Sequence, residues 1–207
     1  MARRKLSTFI PGASAQTFRG ESSGHVLEMI SGVCDGRTVP GVNGPYTLGD
    51  ATYQTSSTTV QIMNGSSINY LPPAGTKTVI YKLWFSWMYV SSSYICLPHF
   101  GVQIDGTLMT NSRWSTYHYR YSTYARPLQQ DRIVGVIRVT GTDNKADGQL
   151  ASWDSAKTIR VQFDSYDSGQ HRVELHELVW WNGTSSGIYQ TAGQEKHPWL
   201  EITALST

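Results

Sequence analysis

The stretch from Thr78 to Val90 constrains the fold more than any other part of the chain. Val79, Tyr81, Leu83, Phe85, Trp87 and Tyr89 occupy alternate positions, while Ile80, Trp84 and Met88 fall on the other set, with Lys82 and Ser86 between them. Successive side chains of a strand point to opposite faces. A segment this apolar on both sets is therefore predicted to be a central strand, covered on much of both faces. Such a strand needs neighbours on its edges and a second layer above it. No convincing 3.6-residue apolar stripe occurs anywhere in the chain to supply helices, so the second layer is predicted to be sheet.

The rest of the chain alternates with period two and is punctuated by turn residues. His25 to Ser31 is a first strand. Residues 32–50 are broken by Gly32, Gly36, Pro40, Gly41, Gly44, Pro45 and Gly49, which predicts a long loop or extended arm with one short strand at Tyr46 to Leu48. Thr58 to Met63 follows, Asn64-Gly65 is expected to turn the chain, and Ile68 to Leu71 stops at Pro72-Pro73. His99 to Ile104 and Thr107 to Thr110 flank Asp105-Gly106, a pair that supplies the two positive-φ positions of a type I′ hairpin. Trp114 to Tyr124 puts Tyr117, Tyr119 and Tyr121 on one face and His118 and Arg120 on the other. Further strands are expected at Asp131 to Thr140, Thr158 to Tyr166, Val173 to Trp181 (pairing back across a turn at Ser168-Gly169) and Pro198 to Leu205.

Roughly nine or ten strands with regular turn signals predict an all-β fold, an antiparallel β-sandwich of the jelly-roll type. A chain of 207 residues suits one such domain. The sandwich is expected over residues 25–207. Residues 1–24 lack a strand pattern and hold Pro11, Gly12, Gly20 and Gly24, which reads as an extended N-terminal arm that needs a partner to be ordered.

Composition removes several classes of function. Charged residues are 15% and aromatics 12%, the reverse of a disordered chain. The net charge of +2 comes without a basic stripe, which argues against a nucleic-acid partner. No apolar run approaches the roughly 18 residues of a membrane helix. Arg3, Arg4 and Lys5, followed by Leu6 to Ile10 and Ala13-Ser14-Ala15, imitate a secretory signal, but the apolar part is too short and holds Ser7 and Thr8. The basic cluster is either a solvated end or part of an arm that docks on an acidic partner. Cys34 and Cys96 both sit among apolar residues and are expected as buried thiols, with a disulfide left open.

Catalytic signatures are missing from the pattern. There is no G-x-S-x-G elbow and no Gly-rich phosphate loop leading into a helix. His171, Arg172, Glu174, His176 and Glu177 form the densest titratable cluster, yet strand parity divides them between two faces, and Arg172 opposes a cation. Charged pairs on an outer sheet face are the expected reading. His99, beside the inward Phe100, is expected to be structural. Asp143, Asn144 and Asp147 faintly resemble a calcium loop, but it lacks the acidic twelfth position and contains Lys145. No metal and no cofactor is implied.

The aromatic load is the remaining candidate. Trp114, Tyr117, Tyr119, Tyr121 and Tyr124 come from one stretch, and Trp180 and Trp181 are adjacent, so on a strand one of that pair faces away from the core. They read as core packing, as a subunit interface in which Tyr and Trp are enriched, or as a platform for stacking sugars.

Four stretches carry a likeness: Val79-Ile80-Tyr81-Lys82-Leu83-Trp84-Phe85, His99 to Thr107, Leu150 to Ile159, and the closing Leu200-Glu201-Ile202-Thr203-Ala204-Leu205. Together with the Phe9-Ile10-Pro11-Gly12 start, they resemble a group of jelly-roll surface proteins of marine tailed phages, including cyanophages. The resemblance covers most of residues 25–205 and rests on no catalytic motif. It implies a non-enzymatic virion structural protein, assembled in the host cytoplasm and carried on the virion surface. In that reading the chain is a homotrimeric capsid decoration (cement) protein whose arm, with Arg3, Arg4, Lys5 and Phe9, docks on the major capsid protein or another virion protein. The alternative is a tail-fibre or adsorption module that binds a host-surface glycan. A metal enzyme on the same fold needs clustered histidines, which the strand parity does not provide.

Overall fold

Two antiparallel sheets face one another in the computed structural model, which describes residues 24–89, 95–116, 118–119, 128–166, 173–181 and 188–206. The principal strands are β1 (Val26–Val33), β2 (two pieces, Gln61–Ile62 and Ile68–Tyr70), β3 (Thr78–Tyr89) and β4 (Pro98–Ile104). They continue with β5 (two pieces, Thr107–Leu108 and Trp114–Ser115), β6 (Leu128–Val139), β7 (Lys157–Ser165) and β8 (Trp199–Leu205). One sheet has the order β1-β8-β3-β6 and the other β2-β7-β4-β5. That interleaving of eight strands is the double Greek key of a jelly roll, so the expected fold class holds for the described residues. The proposed arm, with Arg3, Arg4, Lys5 and Phe9, lies outside them.

The core is built by parity. In the first sheet Gly135, Tyr81, Ile202 and Ile30 lie in one inward row, and Ile133, Leu83 and Leu200 in the next. Against them the second sheet sets Phe100, Val102 and Ile104 from β4 and Ile159, Val161 and Phe163 from β7, all buried. Phe100 is the aromatic hub, with ring centroids 5.1 Å from Phe85, 5.2 Å from Trp114 and 6.3 Å from Phe163. Burying a side chain of this size contributes about 1.5–3 kcal/mol.

Both edge strands of the second sheet are interrupted, and a buried serine repairs each. Asn64-Gly65 forms the expected turn, but the chain does not reverse there. Both pieces of β2 pair with β7, and the turn lies between them. There Ser66 Oγ accepts the Val161 N–H at 3.0 Å and donates to the Met63 carbonyl at 2.6 Å. In β5 a short 3-10 turn at Thr110–Ser112 separates the pieces. Ser112 Oγ accepts the Val102 N–H at 2.8 Å and donates to the Met109 carbonyl at 2.7 Å. A ladder donor left bare by the irregular strand thus finds a side-chain acceptor, as buried backbone groups require.

The segment after β7 departs from expectation. Val173 to Trp181 is not one strand folded back on β7. Val173–Leu175 crosses to the first sheet and pairs with Tyr89, Met88 and Trp87 on the edge where β8 has already ended. His176 then takes φ 63° and breaks the strand. Glu177–Trp181 pairs instead with Ile188–Glu195, a strand that the sequence pattern did not indicate.

Candidate binding groove

Direct pairing of β6, β3, β8 and β1 makes the outer face of the first sheet readable as rows. Val136, Ile80, Thr203 and Met29 form one row, and Val134, Lys82, Glu201 and Ser31 the next. Arg132, Trp84, Trp199 and Val33 form a third. Lys82 Nζ lies 2.6 Å from Glu201 Oε1, so an ion pair separates the apolar first row from the aromatic third.

The third row borders a groove. The β8 ladder ends at Trp199, opposite Trp84, and the next edge partner of β3 begins only at Trp87. The gap between them leaves a cavity of about 580 Å³, within the roughly 300–1,000 Å³ usual for small-molecule sites. Trp84 and Ser86 line its β3 side, Gln130 and Arg132 its β6 side, and Lys196, His197 and Trp199 the opposite side. Trp199 is 45% exposed. The Arg132 guanidinium lies 6.0 Å from the Trp84 ring centroid, within cation–π range. Ser86 is 2% exposed, and its Oγ has no hydrogen-bond partner. Asp131, also on the lining, accepts a hydrogen bond from Trp87 Nε1 at 2.5 Å. His197 Nδ1 lies 3.1 Å from the Cys34 carbonyl. A carbonyl only accepts, so Nδ1 carries the proton and Nε2 is the open nitrogen.

His176 sits behind this groove. Its backbone N–H donates to the Ser86 carbonyl at 3.1 Å, and its carbonyl accepts from Lys196 N–H at 2.9 Å. The ring is fully buried, Nε2–H donates to the Asn64 carbonyl at 3.0 Å, and Nδ1 is unpartnered. Burial lowers its pKa to about 4, against the opposing Asn64 hydrogen bond and with a smaller contribution from His197. Glu174 is buried as well. The expectation of an exposed charge cluster is thereby corrected: after the crossing to the first sheet both Glu174 and His176 are buried, Glu174 opposite Met88 on the outer-face parity of β3. His171 and Arg172 lie outside the described residues, as does the Glu177 side chain.

A second groove, of about 430 Å³, opens on the other sheet. Trp114 lines it, half-buried against Phe100, with Leu108, Arg113 and Val60 nearby. Ser115, His99 and Asp164 share a row across β5, β4 and β7. His99 Nδ1 lies 2.9 Å from Asp164 Oδ1. No hydrogen bond joins Ser115 to His99, and without it the row lacks the nucleophile–base contact of an acyl-transfer triad. His99 and Asp164 act as a cross-strand pair.

Of the other sequence candidates, Tyr117, Tyr121 and Tyr124 lie outside the described residues. Tyr119 is in a two-residue strand, His118–Tyr119, that pairs with Ile95–Cys96. Trp180 and Trp181 lie in the Glu177–Trp181 strand. The side chains of these three are outside those described. Trp153 is a core residue, donating from Nε1 to the Tyr70 carbonyl at 3.1 Å. Cys34 is a free, buried thiol whose pKa is pushed up to about 12 by burial and then by Asp35. Asn144 and Asp147 bond one another at 2.7 Å. Among the described residues no group of three or more His, Cys, Asp or Glu is placed to hold a metal ion, and no helix is long and apolar enough to cross a membrane.

Sequence reasoning passed over the Trp84–Trp199 groove. Its signal was an indole at Trp84 on the face of β3 that also carries Lys82 and Ser86. No protein-family model matches this chain, and no curated protein matches it in sequence.

Proposed function

We propose that this chain is a non-enzymatic virion surface protein, a jelly-roll building block that self-associates, as a homotrimer, on the head of a tailed phage. Residues 1–24 serve as its attachment arm to the major capsid protein. The observation that carries this reading is the outer row of Met29, Ile80 and Val136 beside Val134. Outer sheet faces that meet water alternate to polar residues, yet this row is apolar except for Thr203, and Met29 is 59% exposed. Such a face suits contact with another copy in a closed symmetric assembly. Light scattering on the full chain tests it, with a trimer expected and dissociation expected for Met29→Glu combined with Val134→Glu. A monodisperse monomer at tens of micromolar, or absence of the chain from purified particles, overturns the reading. Copy number per particle separates a head decoration from a fibre.

A second reading, an adsorption module for a host-surface glycan, is favoured by the Trp84–Trp199 groove. It is compatible with a virion location, because the Lys82–Glu201 ion pair divides the groove from the apolar row.

A further inference from the structure

We infer that the groove between β6 and β8 binds a pyranose sugar bearing an anionic substituent, a carboxylate or a sulfate; this rests on the adsorption reading. Four observations converge. First, Trp199 offers an open indole face, whereas Trp84 beside it is already covered by the Arg132 guanidinium. A pyranose ring has an apolar C–H face that stacks on an indole and a rim of hydroxyls that needs polar partners.

Second, polar partners stand at the groove edge. Ser86 Oγ is buried without a hydrogen-bond partner, although buried hydroxyls are ordinarily satisfied. A ligand hydroxyl entering the groove supplies that partner. Gln130 and the open Nε2 of His197 add an amide and an imidazole nitrogen.

Third, the lining carries two cations, Arg132 and Lys196, against one carboxylate, Asp131. No carboxylate among the described residues pairs with either cation. Asp131 is engaged by Trp87 Nε1. A guanidinium without a carboxylate partner is suited to bidentate recognition of an anionic oxygen pair. A cationic ligand is disfavoured by the same two groups.

Fourth, the space is small, about 580 Å³. It has room for one or two rings rather than a long track. Single-stranded nucleic acid, which also stacks on indoles, needs a groove that follows its backbone.

The test uses the full-length protein in calorimetric titrations with three oligosaccharide probes: a uronate oligomer, a sulfated galactan oligomer and a neutral glucan oligomer. One or both acidic probes are expected to bind at least about tenfold more tightly than the neutral one, with affinity falling as salt rises. Which acidic probe wins identifies the substituent. Trp199→Ala is expected to abolish binding of all three. Arg132→Gln is expected to weaken only the acidic probes, by about tenfold, and Trp114→Ala in the second groove is expected to change nothing. Circular dichroism and the thermal midpoint establish that each variant is folded. Equal binding of neutral and acidic probes overturns the anionic inference and leaves the glycan reading standing. Binding that survives Trp199→Ala overturns the placement in this groove. Failure of all three probes overturns the inference, and a host glycan extract that also fails to bind removes the adsorption reading. Preference for an oligodeoxythymidylate over every sugar makes nucleic acid the occupant and overturns both.

Discussion

The Tyr70 hydroxyl donates to Glu28 Oε2 at 2.6 Å, and both residues are buried between the sheets. The other carboxylate oxygen accepts the Val42 N–H. Glu28 shares the inward row of Ala204 and Val79, a position that alternation assigns to an apolar residue. A buried carboxylate is tolerated only when its oxygens are hydrogen-bonded. These contacts pin the loop at Val42 and the end of β2 to the first strand.

Tyr70→Phe is therefore expected to cost more than a surface change. It removes one hydroxyl, adds no bulk, and leaves Glu28 Oε2 without its donor. The expected loss is about 1–3 kcal/mol in urea denaturation. In a Glu28→Gln background the same change is expected to cost less, since the stranded group is no longer a carboxylate. Equal losses in both backgrounds would show that the two residues are not coupled.

Ser66→Ala tests the repair of the interrupted β2 strand. The substitution strands the Val161 N–H, which has Ser66 Oγ as its acceptor. A loss of about 1–3 kcal/mol is expected, with faster amide exchange at Val161 as the local signature. A substitution of Ser67, which is not in this network, serves as the control.

Gly135→Ala tests the closeness of the sheets. Gly135 lies inside β6, where glycine usually weakens a strand. An added Cβ would sit 2.9 Å from Val102 Cγ1 and 3.2 Å from Val102 Cβ. The change is expected to destabilise by about 1–3 kcal/mol through overpacking. Adding Val102→Ala is expected to recover part of it, measured by the shift in thermal midpoint.

What was legible in the sequence was local. The alternation from Val79 to Tyr89 exposes β3 because each position reports its own face. Asp105-Gly106 exposes its turn because the two residues that tolerate positive φ stand together, at 47° and 83° in the structure. The jelly-roll order follows from strands of this kind. The buried polar sites were not legible, because their partners are remote: Glu28 is satisfied by Tyr70, forty-two residues on, and Ser66 by Val161, ninety-five residues on. The groove was half legible. Trp84 is out of place on the face of Lys82 and Ser86, but only the ladder register brings Trp199 beside it. The crossing of Val173–Leu175 left no pattern at all, since three apolar-flanked residues suit either sheet.

His176 makes stability depend on pH. Its ring is buried neutral, with a folded-state pKa of about 4 against an ordinary 6.5. The unfolded chain takes up the proton first as pH falls, so the contribution is full above about pH 6.5, declines below it and is gone near pH 4. The gap corresponds to about 3 kcal/mol at roughly 1.4 kcal/mol per pH unit. Urea midpoints are expected to fall between pH 7 and pH 4.5 by more than carboxylate titration alone produces. His176→Asn removes the titrating ring while keeping a residue that accepts the 63° φ. The variant is expected to be less stable at pH 7, because the site is buried, but to have a flatter pH profile over the same interval. If its slope matches that of the parent chain, the acid sensitivity resides elsewhere.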